Sequence, residues 1–294
     1  MILVMGTAMW GWKIDRETAF ILADHFVESG GKWFDTASNY PIDRKPAHYG
    51  LAEQWLSEWI SSRNVNVSVI LKVGSLVNDG SPRHDLAPEF LNAKLGQAES
   101  RFGTSLRTVA IHWDDRSDRI LVGETIAFFR TIKSQGMGIG MSGICHPDIY
   151  ADLAPDLYND WQIQIKFNPL SWTAYSHYKR FQGRRRFWAY GLNAGGLNFS
   201  GSYTNQSSTN LRGSPIEVSL TKCRKFVEIH RADRNCPRSL NELALLCAAS
   251  FSDISGVLIS VSNLEQLSET LNAARSTYSP ELIKAAHDFI INAE

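Results

Sequence analysis

Four residues of this chain have the types and spacing needed for acid–base chemistry. Asp35 closes the short aromatic run Trp33-Phe34, and Tyr40 lies five residues beyond it in a loop of Ser, Asn and Pro. Lys72 closes the apolar run Val67-Ser68-Val69-Ile70-Leu71, and His112 closes Val109-Ala110-Ile111. A tyrosine hydroxyl ordinarily ionises near pH ~10. A neighbouring ammonium stabilises the anion and brings it closer to working range. Lys72 can supply that charge, and Asp35 can hold Lys72 in place. His112 can donate a hydrogen bond to a carbonyl oxygen, so that Tyr40 hands over a proton as a hydride arrives at the carbon. No side chain can deliver a hydride, so this chemistry needs a reduced nicotinamide or flavin. Any one of the three strand-end residues could be a chance polar residue where a strand meets solvent; Asp, Lys and His in succession are less readily so explained. Function is preferred for Lys72 and His112, because a buried charge needs a partner and a carboxylate is at hand.

Bringing these residues together requires strands whose ends share one face. Residues 2–5 read as a short buried strand, closed by Gly6-Thr7-Ala8-Met9-Trp10-Gly11, whose glycines let the backbone approach a ligand. Ala19, Leu22, Ala23 and Phe26 recur at helical intervals over 17–28, and Gly30-Gly31 stops that helix. Trp55, Leu56, Trp59 and Ile60 make one face of a helix over 51–60. Further strands are predicted at 67–71, 108–111, 136–141, 163–167, 187–190 and 256–259, with helices near 88–102, 120–132, 216–231, 239–250, 264–275 and 280–292. Eight strands separated mainly by helices, without a linker, predict an α/β fold, a single parallel (β/α)8 TIM barrel over 1–294. In that architecture the loops after the strands form one face, where Asp35, Tyr40, Lys72 and His112 converge. The Gly-, Ser-, Asn- and Thr-rich stretch 193–215 is long enough to be a mobile functional loop.

Composition narrows the partners. Lys+Arg 30 against Asp+Glu 30 leaves no net charge, which argues against bulk attraction to nucleic acid or an anionic membrane. Arg184-Arg185-Arg186 before a strand reads as a solvated barrel bottom. Cys145, Cys223, Cys236 and Cys247 show no metal spacing, and His146 beside Cys145 has no further ligands, so no metal is expected. A reduced, cytoplasmic setting fits. The N-terminus lacks a basic region, and no apolar run approaches the roughly 18 residues of a membrane span.

Several motifs then occur in order. They are the glycine turn Gly6–Gly11, Asp35-Thr36-Ala37 followed by Tyr40, the strand-ending Lys72, and Ile111-His112-Trp113. Ile139-Gly140-Met141-Ser142, Gln164-Ile165-Lys166-Phe167-Asn168-Pro169 and Ala189-Tyr190 with Ala194-Gly195-Gly196-Leu197 follow. Together they resemble the aldo-keto reductase superfamily nearly end to end. The resemblance implies an NAD(P)(H)-dependent oxidoreductase acting on a carbonyl or alcohol substrate, a sugar or other small aldehyde or ketone. Tyr40 would be general acid and base, Lys72 and Asp35 would tune it, and His112 would orient the carbonyl. Gln164, with Ser142 and Gly143, would meet the cofactor's carboxamide, and Tyr190 would stack on the nicotinamide. Gly6, Thr7, Ala8, Asp35, Gly191, Leu192 and Asn193 would border the cofactor, and Ser260, Ser262, Gln266, Glu269 and Thr270 would take its adenosine phosphate. Trp10 and Trp113 would line the substrate pocket with Tyr40 and His112.

The departures are specific. Family members commonly have Tyr-Gly directly, whereas Pro41 follows Tyr40 here and Tyr49-Gly50 comes only after an insertion, just before Glu53. Distance from the strand end favours Tyr40, with Tyr49 as a packing residue and His48 and Arg44 poised over the substrate. Gly143 stands where asparagine is usual. Ser260 and Gln266 stand where lysine or arginine often selects NADP(H), which leaves NADP(H) or NAD(H) open, with Arg275 able to reach back. Two other functions are weighed: a catalytically weak barrel that senses cofactor or docks a partner, and metal-assisted hydrolysis by Asp35, His112 and Asp114. Oligomeric state is not legible.

Overall fold

The computed structural model describes residues 1–79, 81, 83–183, 186–194, 196–199 and 217–292. Eight strands, β1 (Ile2–Gly6), β2 (Trp33–Ala37), β3 (Ser68–Val73), β4 (Leu106–Asp114), β5 (Gly138–Ile144), β6 (Trp161–Lys166), β7 (Phe187–Tyr190) and β8 (Ile254–Ile259), pair in parallel in sequence order. β8 closes onto β1, making a (β/α)8 barrel. The outer helices are α1 (Arg16–Glu28), α2 (Leu51–Arg63), α3 (Pro88–Phe102), α4 (Arg119–Ser134), α5 (Pro147–Leu153), α6 (Thr173–His177), α7 (Glu217–His230), α8 (Leu240–Ala249), α9 (Leu264–Ala274) and α10 (Pro280–Ile291).

Period-2 strands and period-3.6 helices place two apolar layers. Between barrel and helices, Phe34 of β2 meets Phe26 of α1 and Trp59 of α2 at ring-centroid distances of 5.5 and 5.0 Å. Full burial of such a side chain stabilises by about 1.5–3 kcal/mol. Inside the barrel, Val4, Ile70, Trp188 and Leu258 form a second cluster, with Trp33 and Tyr190 packed against it. Asp35 and Lys72 are buried on the strands that carry Trp33 and Ile70. Five of the helices, α1, α4, α8, α9 and α10, are started by side chains: Asp15, Asp118, Ser239, Asn263 and Ser279 each accept an N-terminal amide.

The strands run further than their apolar cores suggest. β4 extends to Asp114, which pairs with Ile144, so His112 sits inside a strand rather than at its end. The two short helices α5 and α6, of 7 and 5 residues, carry too few turns to leave a periodic pattern. Arg184, Arg185 and, from the stretch 193–215, residues 195 and 200–215 lie outside the described residues.

Candidate active site

Closure of the barrel sets Asp35, Lys72, His112 and Tyr40 side by side. Asp35 (1% exposed) points inward from β2, and Lys72 (1%) from β3 donates to its Oδ1. Gln164 Nε2, from β6, donates to Asp35 Oδ2 at 2.5 Å, so both carboxylate oxygens are held. The amide and hydroxyl of Thr7 donate to the Asp35 carbonyl at 2.9 and 3.1 Å, tying the glycine turn after β1 to β2. Lys72 Nζ lies 4.8 Å from the centroid of the Tyr40 ring. The His112 ring meets Tyr40 edge-on at 5.7 Å, and its buried Nδ1 has no hydrogen-bond partner among the described residues. His112, Ser142 and Gln164 fall on one register row across β4, β5 and β6.

The electrostatics follow from burial. Desolvation, and then the Lys72 charge, hold His112 well below its ordinary value of 6.5, so the ring is neutral near pH 7. Desolvation lowers Lys72 as well, opposed by Asp35. For Tyr40 the direction differs from the sequence expectation. Burial first and the Asp35 charge second push its hydroxyl well above 10, while the Lys72 ammonium pairs with the carboxylate and lies over the Tyr40 ring. Tyr40 is therefore a proton holder in the unliganded protein.

The rest of the mouth is built by loops. The 41–48 insertion is fastened at both sides: Ile42 N donates to Ala8 O at 3.0 Å, and Asn78 Nδ2 to Pro41 O at 2.7 Å. Within it His48 Nδ1 pairs with Asp43 Oδ2 at 2.5 Å, and Arg44 takes a left-handed φ of 61°. Tyr49 instead reaches Ser75 O at 3.4 Å, with Lys94 over its ring, and Glu53 pairs with Arg101. Trp10 is 1% exposed. Trp113 has φ 68° and packs on Gly143, where an added Cβ would lie 2.5 Å from the indole. The indole of Trp113 thus takes the space that a side chain at position 143 would need. Asp114 does not join Asp35 and His112, since Arg116 and Tyr150 (2.5 Å) engage its two oxygens.

Sequence reading passed over Asn39. It is 1% exposed, adjoins Tyr40, and neither its Oδ1 nor its Nδ2 has a partner among the described residues. A polar loop suggested solvent there, and only its position between Asp35 and Tyr40 could have flagged it.

The residues around the mouth fit a dinucleotide. Asn193 Oδ1, just past β7, is buried and without a partner among the described residues, as is His112 Nδ1. Gly6 lets the ends of β1 and β8 approach, a Cβ there lying 3.3 Å from Ser260 Oγ. The N-terminus of α9 opens beside Ser262, a suitable seat for phosphate. Gln266 Oε1 accepts from Ser262 N and Oγ at 2.9 and 3.0 Å, while Glu269 is exposed. Thr270 is 3% exposed and bonded to Asn241, on the packed side of α9. Arg275 donates to Ser29 O at the end of α1 instead of reaching toward Ser260. Ala8, Gly191 and Leu192 lie in the loops after β1 and β7, with Gly191 at φ 71°.

Comparison with known proteins adds to this geometry. A sequence model of the Aldo/keto reductase family matches residues 2–290. Norsolorinic acid reductase B of Aspergillus parasiticus is 38% identical over 59 residues, 20% of this chain and 14% of its own length. Norsolorinic acid reductase stcV of Emericella nidulans is 36% identical over 76 residues, 24% of this chain and 18% of its own. The matches thus span under a fifth of either relative. Among solved structures, a glycerol dehydrogenase from Gluconobacter oxydans superposes with TM-score 0.74 at 16% identity, over 98% of this chain and 90% of that one. An aldo-keto reductase from Bacillus halodurans, in its holo form, gives 0.67 at 18% over 98% and 91%. At such identity the two show a shared fold.

Proposed function

Because the chain belongs to the aldo/keto reductase family, we propose that it is an NAD(P)(H)-dependent oxidoreductase that interconverts a small aldehyde or ketone and its alcohol, with Tyr40 as the proton-transfer residue. The observation that carries this proposal is the buried Lys72–Asp35 pair set against the Tyr40 ring, with a neutral His112 edge-on to that ring.

When bound, the nicotinamide supplies or removes the hydride at the substrate carbon. The protein's own residues do the remainder. His112 donates an N–H to the carbonyl oxygen, and its neutrality keeps it from giving up a full proton. Tyr40, kept protonated by burial and Asp35, delivers its proton as charge develops on that oxygen. Lys72 stabilises the tyrosinate left behind, and Asp35 holds Lys72 in reach. Gln164 and Ser142 would hold the carboxamide, Tyr190 would lie against the nicotinamide ring, and Asn193, Ser260, Ser262 and Gln266 would meet the ribose and phosphates. Trp10 and Trp113 wall the substrate side. The cytoplasm is the proposed setting, in keeping with four unpaired cysteines. Among the described residues no helix is long and apolar enough to cross a membrane.

The test is a panel of aldehydes, ketones and sugars with NADPH or NADH, following cofactor oxidation. Wild type is expected to turn over part of the panel, and Tyr40→Phe to lose about 10²–10⁴-fold. Cofactor binding without turnover on any carbonyl would instead favour the sensing barrel.

A further inference from the structure

Gln164 and Asp35 are 129 residues apart in sequence and on strands that are not neighbours, yet their side chains meet at 2.5 Å in the barrel interior. A carboxylate can only accept, so the amide must present its nitrogen to Asp35, and Gln164 Oε1 is left for another donor. Lys72 already holds Oδ1, so Gln164 supplies the donor at Oδ2. Resting on the nicotinamide reading above, we propose that Gln164 is a positioning residue of the proton-transfer cluster. Its Nε2 fixes the Asp35 carboxylate, and thereby Lys72 beside Tyr40, while its Oε1 stays free to accept from the carboxamide N–H. One side chain then ties cofactor seating to proton transfer.

The consequence is electrostatic. The groups facing Tyr40 are Asp35 on β2, Lys72 on β3, His112 on β4 and Tyr190 on β7. Asp35 is the one whose negative charge, after burial, raises the Tyr40 hydroxyl. A hydrogen bond to Oδ2 draws off part of that charge, and in a dry interior its loss is strongly felt. Without it, Tyr40 holds its proton more tightly.

The experiment compares wild type, Gln164→Met and Gln164→Glu in the alcohol-oxidising direction, where Tyr40 must act as base. The pH dependence of kcat and the affinities for NADH and NADPH, from quenching of tryptophan fluorescence, are measured for each. Gln164→Met keeps length without a donor; its rising alkaline limb is expected to move up by about one pH unit, so that turnover at a fixed pH on that limb falls about tenfold. Gln164→Glu can donate to Asp35 only while the two carboxyls share a proton. It is expected to approach wild-type turnover at acidic pH and to lose it as that proton leaves. If both variants lower affinity or turnover by a constant factor at every pH, Gln164 only holds cofactor and the proposal is overturned.

A second readout needs no cofactor. The Gln164 side-chain amide resonances, assigned by their loss in Gln164→Met, are expected to shift on Asp35→Asn. Resonances that ignore this substitution would also overturn the proposal. A wild type that binds neither NADH nor NADPH, with amide resonances that do respond to Asp35→Asn, would instead refute the oxidoreductase reading while leaving the Gln164–Asp35 link in place.

Discussion

Asp35 and Lys72 are each 1% exposed and pair in the barrel interior, where an unmatched charge is costly. Lys72→Met strands the Asp35 carboxylate and is expected to cost about 3–5 kcal/mol. The double variant Asp35→Asn, Lys72→Met should recover part of that loss in thermal melting; single and double variants that melt alike would show the two side chains to be uncoupled. His112 makes a separate statement about pH. Its folded value lies well below 6.5, so as pH falls past that point the unfolded chain takes up a proton that the folded one refuses. Stability present above 6.5 is therefore lost as pH drops toward the folded value. The plot of Tm against pH for His112→Gln should be flatter than wild type between about 6.5 and 5; a parallel slope would contradict the burial of a neutral ring. The four residues were legible from their type and their place in the chain. The raised Tyr40 hydroxyl was not, because it depends on how deeply the closed barrel buries that side chain and how near the Asp35 carboxylate it is held.

β4 and β5 shape one side of the mouth together. Trp113 sits at φ 68°, a conformation that costs a side-chain-bearing residue about 1–3 kcal/mol, and it lies on Gly143, itself at φ 73°. Gly143→Ala adds a Cβ against the indole in a left-handed backbone. It should lower stability by about 1–2 kcal/mol and raise the KM for carbonyl more than the Kd for cofactor. Unchanged melting and KM would mean that Trp113 does not rest there. Long periodic elements were readable from sequence: α3 was expected at 88–102 and is Pro88–Phe102. The far end of β4 was not readable, because pairing of Asp114 with Ile144 continues the strand past the irregular Trp113. From sequence Gly143 is only a missing asparagine; that a tryptophan from the neighbouring strand fills the space is a fact of register.

Alternation of strands and helices over the whole chain predicts the barrel, since parallel strands joined by helices bury both faces of a sheet only when it closes or is doubly covered. Closure brings β6 opposite β2 and so creates the contact between Gln164 and Asp35, which no local spacing could reveal. It also sets Ser260 at the end of β1. The family match over 2–290 supports carbonyl oxidoreduction, and the central claim is that this mouth seats a nicotinamide cofactor beside Tyr40. Titration of wild type and Tyr40→Phe with NADPH and with NADH, followed by quenching of the nine tryptophans and then by mixing with carbonyl substrate, tests it most directly. Both proteins should bind at least one of the cofactors with similar Kd, and only wild type should then oxidise it at an appreciable rate. A wild type that binds neither cofactor, or a Tyr40→Phe protein that reduces carbonyl as fast as wild type, would contradict the account.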